Sequence, residues 1–234
     1  MKNYNLMLCG LLVIFTNQLR AQGNQSLLGG GVDIVDRIGA MNGQTNSNVF
    51  AKKYSTLYDN TPYLPTQNMV SGYFIQANGK RFEIGKMTYN AYEKRIEYVE
   101  GENFYFPKEQ IIEFGFATGE VFQRNFQPMD DHNELTYFEV LNNSKTRLLM
   151  HTRAALLDVA AYSSADKIKH FDFTNTYFVL KNDGTFAKSR RLNDSLLGIL
   201  SDKKAQIEVF IKENKLKCKT AGDFKKVLAY YDSI

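Results

Sequence analysis

The sequence contains no tryptophan, and it has only four prolines and two cysteines among 234 residues. Hydrophobic residues make up 44% of the chain, which excludes disorder throughout and is enough to bury the core of one domain or two. The aromatic residues are 14 tyrosines and 17 phenylalanines. Because such residues are enriched in β-strands, the composition favours a β-rich fold over a helical bundle.

The apolar run near the N-terminus is too short to cross a membrane. Residues 6–15 (LMLCGLLVIF) number ten, whereas a transmembrane helix needs about 20. Lys2 precedes the run, and the small residue Ala21 follows it. This pattern predicts a signal peptide over residues 1–21 that is cleaved after Ala21. Most of the run follows Cys9, which argues against a lipoprotein signal, and a buried N-terminal strand or helix is the alternative.

Cleavage at this point changes the charge and the cysteine count. Removal of Lys2 and Arg20 leaves 27 basic against 25 acidic residues, so the net charge falls from +4 to +2. Only Cys218 stays in the mature chain, which therefore has no internal disulfide. We expect an exported protein, periplasmic or extracellular, with outer-membrane association as a further option and with no transmembrane segment in the mature chain.

A segment rich in glycine and asparagine follows the predicted cleavage site. The run Gly29-Gly30-Gly31 is not followed by Gly-Lys-Ser/Thr, so a phosphate-binding loop is not indicated. Residues 22–53 are interpreted as a flexible leader, with a short helix possible over residues 32–41. The ordered domain is expected to begin between residues 54 and 65.

From residue 69 onward, short apolar runs alternate with turn signals. In MVSGYFIQANGKRFEIGKMTY, Asn78-Gly79 separates two alternating runs. This dipeptide predicts a hairpin turn in which both residues adopt positive φ. KRIEYVEGENFYF repeats the scheme, and Pro107 ends that run or marks an edge strand.

Six further segments continue the strand pattern: EQIIEFGF, EVFQRNF, LTYFEVL, TRLLMHT, NTYFVL and TFAKSRR. The pattern predicts an α+β fold that is mainly β, an antiparallel β-meander closed as a barrel or folded as a sandwich. The β domain is expected over residues 54–192, and a C-terminal helical hairpin over residues 193–234 is expected to pack on it. Residues 154–170 permit either a long strand pair or a short helix.

The C-terminal segment has two helical patterns. In the second, Thr220 and Asp223 form a capping pair, and the apolar residues recur at helical spacing. Those residues are Phe224, Val227, Leu228 and Tyr231. The first pattern places Ser201 as the cap. Its apolar residues lie on two sides, Ile207, Phe210 and Ile211 on one and Ala205 and Val209 on the other, which predicts a helix packed between two neighbours.

Lysines are numerous in this segment, but they do not indicate a nucleic-acid site. Eight lysines face five acidic residues between positions 202 and 234, and there is no arginine. Nucleic-acid surfaces have denser cationic clusters. A solvated helix face is therefore the preferred interpretation, with a partner-binding surface as the alternative.

The order of these segments resembles exported proteins of unknown function from Bacteroidota. The similarity rests on the signal segment, the leader, YDNTPYLP, the hairpin strands and the closing block SLLGILSDKKAQIEVFIKENKLK…DFKKVLAYYDSI, which is its most specific part. It covers most of the mature chain. The resemblance implies a location in the cell envelope and carries no catalytic residues that could be transferred to this chain.

Motifs for catalysis and metal binding are weak. His132, His151 and His170 are far apart in sequence, and neither a His-Glu-x-x-His nor a Gly-x-Ser-x-Gly motif is present. The candidate metal ligands are Asp130, Asp131, His132 and Glu134. These four lack the spacing of a calcium loop, so we interpret them as a polar turn and predict no metal or cofactor.

Two other groups could carry chemistry. Cys218 as a nucleophile would need a base placed by the fold, and a small apolar residue between helices is the preferred interpretation. Lys188, Arg190 and Arg191 form a small basic patch, which is typical of a strand edge protected against aggregation.

Two classes of function follow from the sequence. The first is a non-enzymatic binding or structural module of the envelope, whose aromatic sheet face or C-terminal hairpin binds another envelope protein, a glycan or an apolar ligand. The second is a hydrolase with a dispersed active site. A pocket that places a histidine within hydrogen-bond reach of a serine, an aspartate or Cys218 would favour the hydrolase.

Overall fold

The computed structural model describes residues 58, 60–65, 69–107, 110–160 and 167–234. The predicted signal peptide, the leader and its short helix lie outside the described residues. The expectations about these segments therefore stay predictions.

Eleven β-strands form one antiparallel sheet. In chain order they are β1 (Tyr63–Leu64), β2 (Val70–Gln76), β3 (Arg81–Asn90), β4 (Arg95–Glu100), β5 (Asn103–Tyr105), β6 (Ile111–Phe116), β7 (Val121–Gln123), β8 (Phe138–Val140), β9 (Arg147–Ala160), β10 (Lys167–Leu180) and β11 (Phe186–Ser189).

The sheet is open. Its strand order is β11-β10-β9-β8-β7-β6-β2-β3-β4-β5, and β1 pairs with β3 beside this path. Two meanders, β2 to β5 and β6 to β11, meet where β2 pairs with β6. The predicted class, mainly antiparallel β with C-terminal helices, is confirmed. Closure as a barrel is not found, because β5 and β11 end the sheet without pairing with each other among the described residues.

The sheet curves so that its long hairpin approaches its other end. Ala154 of β9 and Phe173 of β10 pack against the buried side chains of β2, β3, β4, β6 and β7. Asn60, just before β1, contacts the backbone of Phe171 twice. Its side-chain oxygen accepts from the N–H of Phe171 (2.7 Å), and its amide nitrogen donates to the carbonyl oxygen (2.7 Å). These contacts join the chain that enters the sheet to the distal half of β10.

Three hairpins share one turn geometry. The N–H of Gly79 donates to the carbonyl of Gln76 (2.9 Å), and the same contact recurs at Gly119 (2.9 Å) and Gly184 (3.0 Å). These glycines have φ values of 82°, 109° and 87°, which identifies three-residue turns with the glycine in a bulge. The predicted β2–β3 hairpin is present, but the prediction of positive φ at Asn78 is wrong, because only the glycine of that pair adopts it.

The segment that the sequence left open forms strands. β9 and β10 have 14 residues each and pair in continuous register, from Arg147 opposite Leu180 to Ala160 opposite Lys167. Of the two options for residues 154–170, the described part is therefore a strand pair; residues 161–166 lie outside it.

A 3₁₀ segment and two α-helices follow the sheet: Asp194–Lys203, α1 (Lys204–Glu213) and α2 (Ala221–Ser233). The Thr220 hydroxyl accepts from the N–H of Asp223 (3.2 Å), which confirms the predicted cap of α2. The predicted cap of α1 is wrong. Ser201 lies inside the 3₁₀ segment, and α1 begins without a side-chain cap.

The helices bury apolar side chains in a core that they share with the sheet; α2 contacts β9, and α1 packs on α2 and the 3₁₀ segment. The four predicted apolar residues of α2, Phe224, Val227, Leu228 and Tyr231, are all buried. In α1 only Ile207 is fully buried, whereas Phe210 stacks on Tyr230 of α2 with ring centroids 4.1 Å apart. Val209 is 55% exposed. The prediction that α1 packs on two sides is therefore wrong.

The buried residues form two main cores. The first is rich in aromatic rings and is built by β2, β3, β4, β6 and β7. The second is mostly aliphatic and joins the helices to Leu148 of β9 and Val179 of β10. A smaller cluster joins Met129 to Phe138 of β8, to Leu149 of β9 and to Phe178 and Leu180 of β10. In the part of the chain that the structure describes, no helix combines the length and the apolar character that a membrane crossing requires.

Candidate functional site

A tight turn over residues 129–132 begins the candidate site. The N–H of Met129 donates to the carbonyl of His132 (3.0 Å), and the N–H of His132 donates to the carbonyl of Met129 (3.0 Å). Asp130 adopts a φ of 57° inside this turn, a conformation that aspartate tolerates better than most residues. The Met129 side chain is fully buried. The core thus fixes the turn, and the turn places Asp130, Asp131 and His132 together.

The turn brings His132 against His151 of β9. His132 Nε2 lies 2.9 Å from His151 Nδ1, and the ring centroids are 4.3 Å apart. Phe138 and Phe178 flank the His132 ring, each with its centroid 5.4 Å away. Two residues 19 positions apart in the sequence therefore form a hydrogen-bonded histidine pair on an aromatic support.

The contacts of His132 determine where its first proton lies. Its Nδ1 is 3.0 Å from Asp131 Oδ1 and 3.3 Å from the carbonyl oxygen of Met129. A carbonyl oxygen and an ionised carboxylate can only accept hydrogen bonds. With Asp131 ionised, the hydrogen therefore lies on His132 Nδ1. His132 is thus hydrogen-bonded to the Met129 carbonyl through Nδ1 and to His151 through Nε2, with the Asp131 carboxylate beside Nδ1 as an ion-pair partner. Such contacts fix the orientation of an imidazole that transfers protons.

His151 is a neutral base at pH 7. Burial, together with the nearby His132, Lys94 and Arg153, lowers its pKa to about 4, while Asp131 acts in the opposite direction. Desolvation disfavours the charged imidazolium, and the neighbouring cations add to this effect. The ring can therefore accept a proton or a hydrogen bond, but it carries no charge at neutral pH.

The pair lies in a cavity of about 850 Å³. The charged side chains that line this cavity are Lys94, Asp130, Asp131, Arg153, Lys188 and Arg190, and its hydroxyl groups come from Thr136, Thr174, Thr176 and Ser189. Four cationic residues thus oppose two carboxylates. We call this cavity the histidine cleft.

One of the two carboxylates is already neutralised. Lys188 of β11 forms an ion pair with Asp130, and this contact lowers the pKa of Asp130. The remaining cations, Lys94, Arg153 and Arg190, then face Asp131 alone. All three are exposed side chains, so the cleft has an excess of positive charge that water and salt can reach.

The predicted candidate metal ligands come together only in part. Asp130, Asp131 and His132 have ligand atoms within 4.8 Å of one another. Glu134 is exposed and does not belong to this group. Its backbone carbonyl accepts a hydrogen bond from the N–H of Asn125 (2.8 Å). Lys188 pairs with Asp130, and Asp131 pairs with His132 Nδ1, so we interpret the group as a salt-bridged turn and not as metal ligands.

The other predicted chemical groups lie away from the cleft. His170 is on β10 opposite Leu157, and it does not line the cleft. Cys218 lies in the helical core, where burial raises the pKa of its thiol to about 11. A thiol with such a pKa is a poor nucleophile at neutral pH.

The basic patch lies at the edge of the sheet, as its predicted role in edge protection requires. Lys188 belongs to β11, the last strand of the sheet, and Arg190 and Arg191 follow it. Lys188 and Arg190 also line the histidine cleft, a second environment that the sequence did not reveal.

Sequence reasoning missed the histidine pair, Lys94 and Arg153. These residues come from the β3–β4 turn, from the turn over residues 129–132 and from β9. Because only the sheet brings these segments together, no local motif could have identified them.

Comparisons with known proteins found no matching family model, no matching curated protein and no matching solved structure. The chain's own geometry therefore carries the functional argument.

Proposed function

We propose that the protein is a non-enzymatic binding module of the cell envelope and that its histidine cleft binds an anionic ligand, such as the charged group of a glycan. The excess of cationic side chains around one cavity is the observation that carries this proposal. A concave site with a few convergent polar groups is where ligands usually bind.

The chemistry of the lining suits an anion. Lys94, Arg153 and Arg190 supply positive charge, and the guanidinium groups can bind a carboxylate, sulfate or phosphate with two hydrogen bonds. The hydroxyl groups of Thr136, Thr174 and Thr176 add neutral donors and acceptors. This mixture matches a ligand that carries both charge and hydroxyl groups.

The two binding surfaces predicted from the sequence, the aromatic face of the sheet and the C-terminal hairpin, have little exposed apolar area. Phe74, Phe114 and Phe122 are buried in the first core, so the aromatic face of the sheet is mostly interior. The apolar face of α2 is buried as well. These observations move the proposed binding site from the aromatic face and the helical hairpin to the cleft.

Export remains part of the proposal. It rests on the signal-peptide pattern of residues 1–21 and on the resemblance to exported Bacteroidota proteins. Fractionation of producing cells with N-terminal sequencing tests it. We expect a chain that begins at Gln22 in the envelope or the medium. An uncleaved chain in the cytoplasm would overturn export without affecting the cleft.

A binding experiment tests the cleft. Titration calorimetry at low salt would measure the affinity of sulfate and of a sulfated oligosaccharide for the wild type and for the double variant Arg153→Gln/Arg190→Gln. A neutral oligosaccharide is the ligand control. We expect the variant to bind about tenfold more weakly or worse. Lys225→Gln/Lys226→Gln is the matched control, since it removes two exposed charges from α2 and leaves the cleft intact.

Two results would overturn the proposal. One is the absence of anion binding by the wild-type protein. The other is an equal loss of affinity in both double variants, because that would mean that net charge and not the cleft attracts the anion.

A hydrolase is the second candidate, and the proximity of Asp131 to His132, which is hydrogen-bonded to His151, favours it. A histidine oriented by a carboxylate in a cavity can activate a water molecule. Chromogenic esters, phosphate esters and glycosides provide the test. Turnover by the wild type that His151→Gln abolishes would replace binding by hydrolysis as the function, and no turnover on all three classes would reject the hydrolase for these substrates.

A further inference from the structure

We infer that the histidine pair couples anion binding in the cleft to the uptake of a single proton, so that the protein binds its ligand as an anion together with one proton. The inference rests on the proposed function and specifies how the same site is regulated. It follows from the direction of the hydrogen bonds that His132 makes with the Met129 carbonyl and with His151, and from the position of Asp131 beside the same ring.

When both rings are neutral, the histidine pair offers the cleft a hydrogen-bond acceptor, whereas an anion needs a donor. His132 Nδ1 carries a hydrogen that the Met129 carbonyl accepts, and the Asp131 carboxylate lies 3.0 Å from the same nitrogen. Nε2 of the neutral ring therefore accepts the hydrogen of His151 Nδ1 at 2.9 Å. His151 Nε2 then has a lone pair. Among the residues that the structure describes, none forms a hydrogen bond with this atom, and the ring lines the cavity. A ligand in the cleft therefore meets an acceptor and not a donor.

One added proton reverses this polarity. A solvent proton on His151 Nε2 makes that atom a donor directly. If the charge is carried by His132 instead, His132 Nε2 donates to His151 Nδ1, and the hydrogen of His151 lies on Nε2. Both arrangements aim an N–H at the ligand. A second proton would place like charges on rings whose nitrogens are 2.9 Å apart, which opposes it.

The charges around His151 keep that ring neutral until an anion arrives. Arg153 lies on the same strand, Lys94 on the β3–β4 turn, and Lys188 and Arg190 at the β11 edge. Asp131 opposes them, whereas Asp130 is paired with Lys188. On β10, His151 is opposite the uncharged Thr176. Glu139 of β8 is opposite Met150, the neighbour of His151, so its side chain projects from the other face of the sheet.

An anion in the cleft offsets the three cations and removes the obstacle to protonation. Its charge interacts with the imidazolium that forms, and its oxygen accepts the new N–H. Anion affinity should therefore rise as the pH falls, because the bound state holds more protons than the free state.

Sulfate is the best probe because it does not titrate between pH 5.5 and 8. Calorimetry at pH 7 in two buffers of different ionisation enthalpy counts the protons taken up, and titrations across this pH range give the affinity. For the wild type we expect about one proton per sulfate and an affinity that falls about tenfold per pH unit where uptake is complete.

Two variants separate the inference from the proposed function. His151→Gln keeps a polar side chain that cannot titrate, so sulfate should bind with no proton uptake and with little dependence on pH. Arg153→Gln should weaken binding at every pH and keep the proton uptake. Circular dichroism of both variants would verify that they fold.

The outcomes are distinguishable. If wild type binds sulfate without proton uptake and with constant affinity while Arg153→Gln weakens binding, the cleft binds anions but the coupling is wrong. If His151→Gln keeps the uptake of one proton, another group titrates and the inference fails. If the wild type binds no sulfate at any pH, both the function and the inference fail.

Discussion

The two cores of this protein bury different kinds of side chain. In the sheet core, Phe114 stacks on Phe122 with centroids 4.7 Å apart and also contacts the rings of Tyr89, Phe116 and Tyr137. The helical core instead consists mostly of leucine, isoleucine and valine, with Phe224 as its fully buried ring. Both cores include residues of β9 and β10.

The difference shows how two parts of one sheet can serve different purposes. The ring-rich core is built by residues of the sheet, whereas the aliphatic core joins the helices to Leu148 and Val179 of the sheet. Phe138 of β8 and Phe178 of β10 contact each other and both flank the His132 ring. β9 and β10, which contribute to both cores, therefore also carry His151 and one of the rings that flank His132.

The largest effect should come from the sheet core. Phe114→Ala removes a ring that is 0% exposed and that touches four others, so we expect a loss of about 3–5 kcal/mol in the free energy of unfolding. Urea denaturation followed by circular dichroism would measure it. Leu135→Ala is the control, because that side chain is 55% exposed and its truncation should cost less than about 0.5 kcal/mol. Equal losses would mean that the ring cluster adds no stability.

The helical core can be broken by one charge. Phe224→Asp places a carboxylate where a fully buried ring packs, and we expect a loss of about 4 kcal/mol or more. Lys225→Glu/Lys226→Glu changes two exposed side chains and should leave the melting temperature nearly unchanged. If both variants melted alike, the helices would not be docked as described.

His151, in the histidine cleft, should make the stability of the fold depend on pH. The pKa of His151 is lowered to about 4 in the folded chain, below its ordinary value of about 6.5. The unfolded chain therefore binds more protons between these values, and stability should fall as the pH drops from 6.5 towards 4. His151→Gln should have a shallower pH dependence in urea titrations at pH 7.5, 6 and 5. Parallel curves would contradict the lowered pKa.

The smallest effect should come from a helix cap. Thr220→Ala removes the hydroxyl that accepts from the N–H of Asp223, and we expect a loss of about 1 kcal/mol. Thr220→Ser keeps the acceptor and should recover most of this loss. Differential scanning calorimetry resolves a change of this size. A serine variant as unstable as the alanine variant would show that the methyl group matters and not the cap.

The sequence predicted the elements that obey local rules. Alternating apolar residues and turn glycines located the hairpins, and the spacing of Phe224, Val227, Leu228 and Tyr231 identified the buried face of α2. The predictions for α1 were wrong, because its start and its buried face depend on the elements next to it. A 3₁₀ segment precedes α1 and displaces its start beyond Ser201, and no described element covers Val209.

The site was less accessible to sequence reasoning. MDDHNE indicated the polar turn, yet its partner His151 lies in a strand whose register with the turn depends on the whole sheet. Lys94 and Arg153 reach the cleft for the same reason. Side chains that meet through long-range pairing leave no spacing that could be recognised along the chain.

The contact between Asn60 and Phe171 also bears on association between copies of the chain. β11 pairs only with Tyr177–Leu180 of β10, so the more distal residues of β10 have an outer edge that β11 does not cover. Asn60 satisfies the N–H and the carbonyl of Phe171 as a neighbouring strand would, and Tyr58 bridges Lys169 beside it. An unpaired edge is a template for pairing with another molecule. These two residues thus cover the edge of β10 at Lys169 and Phe171, where another copy of the chain could otherwise pair strand to strand.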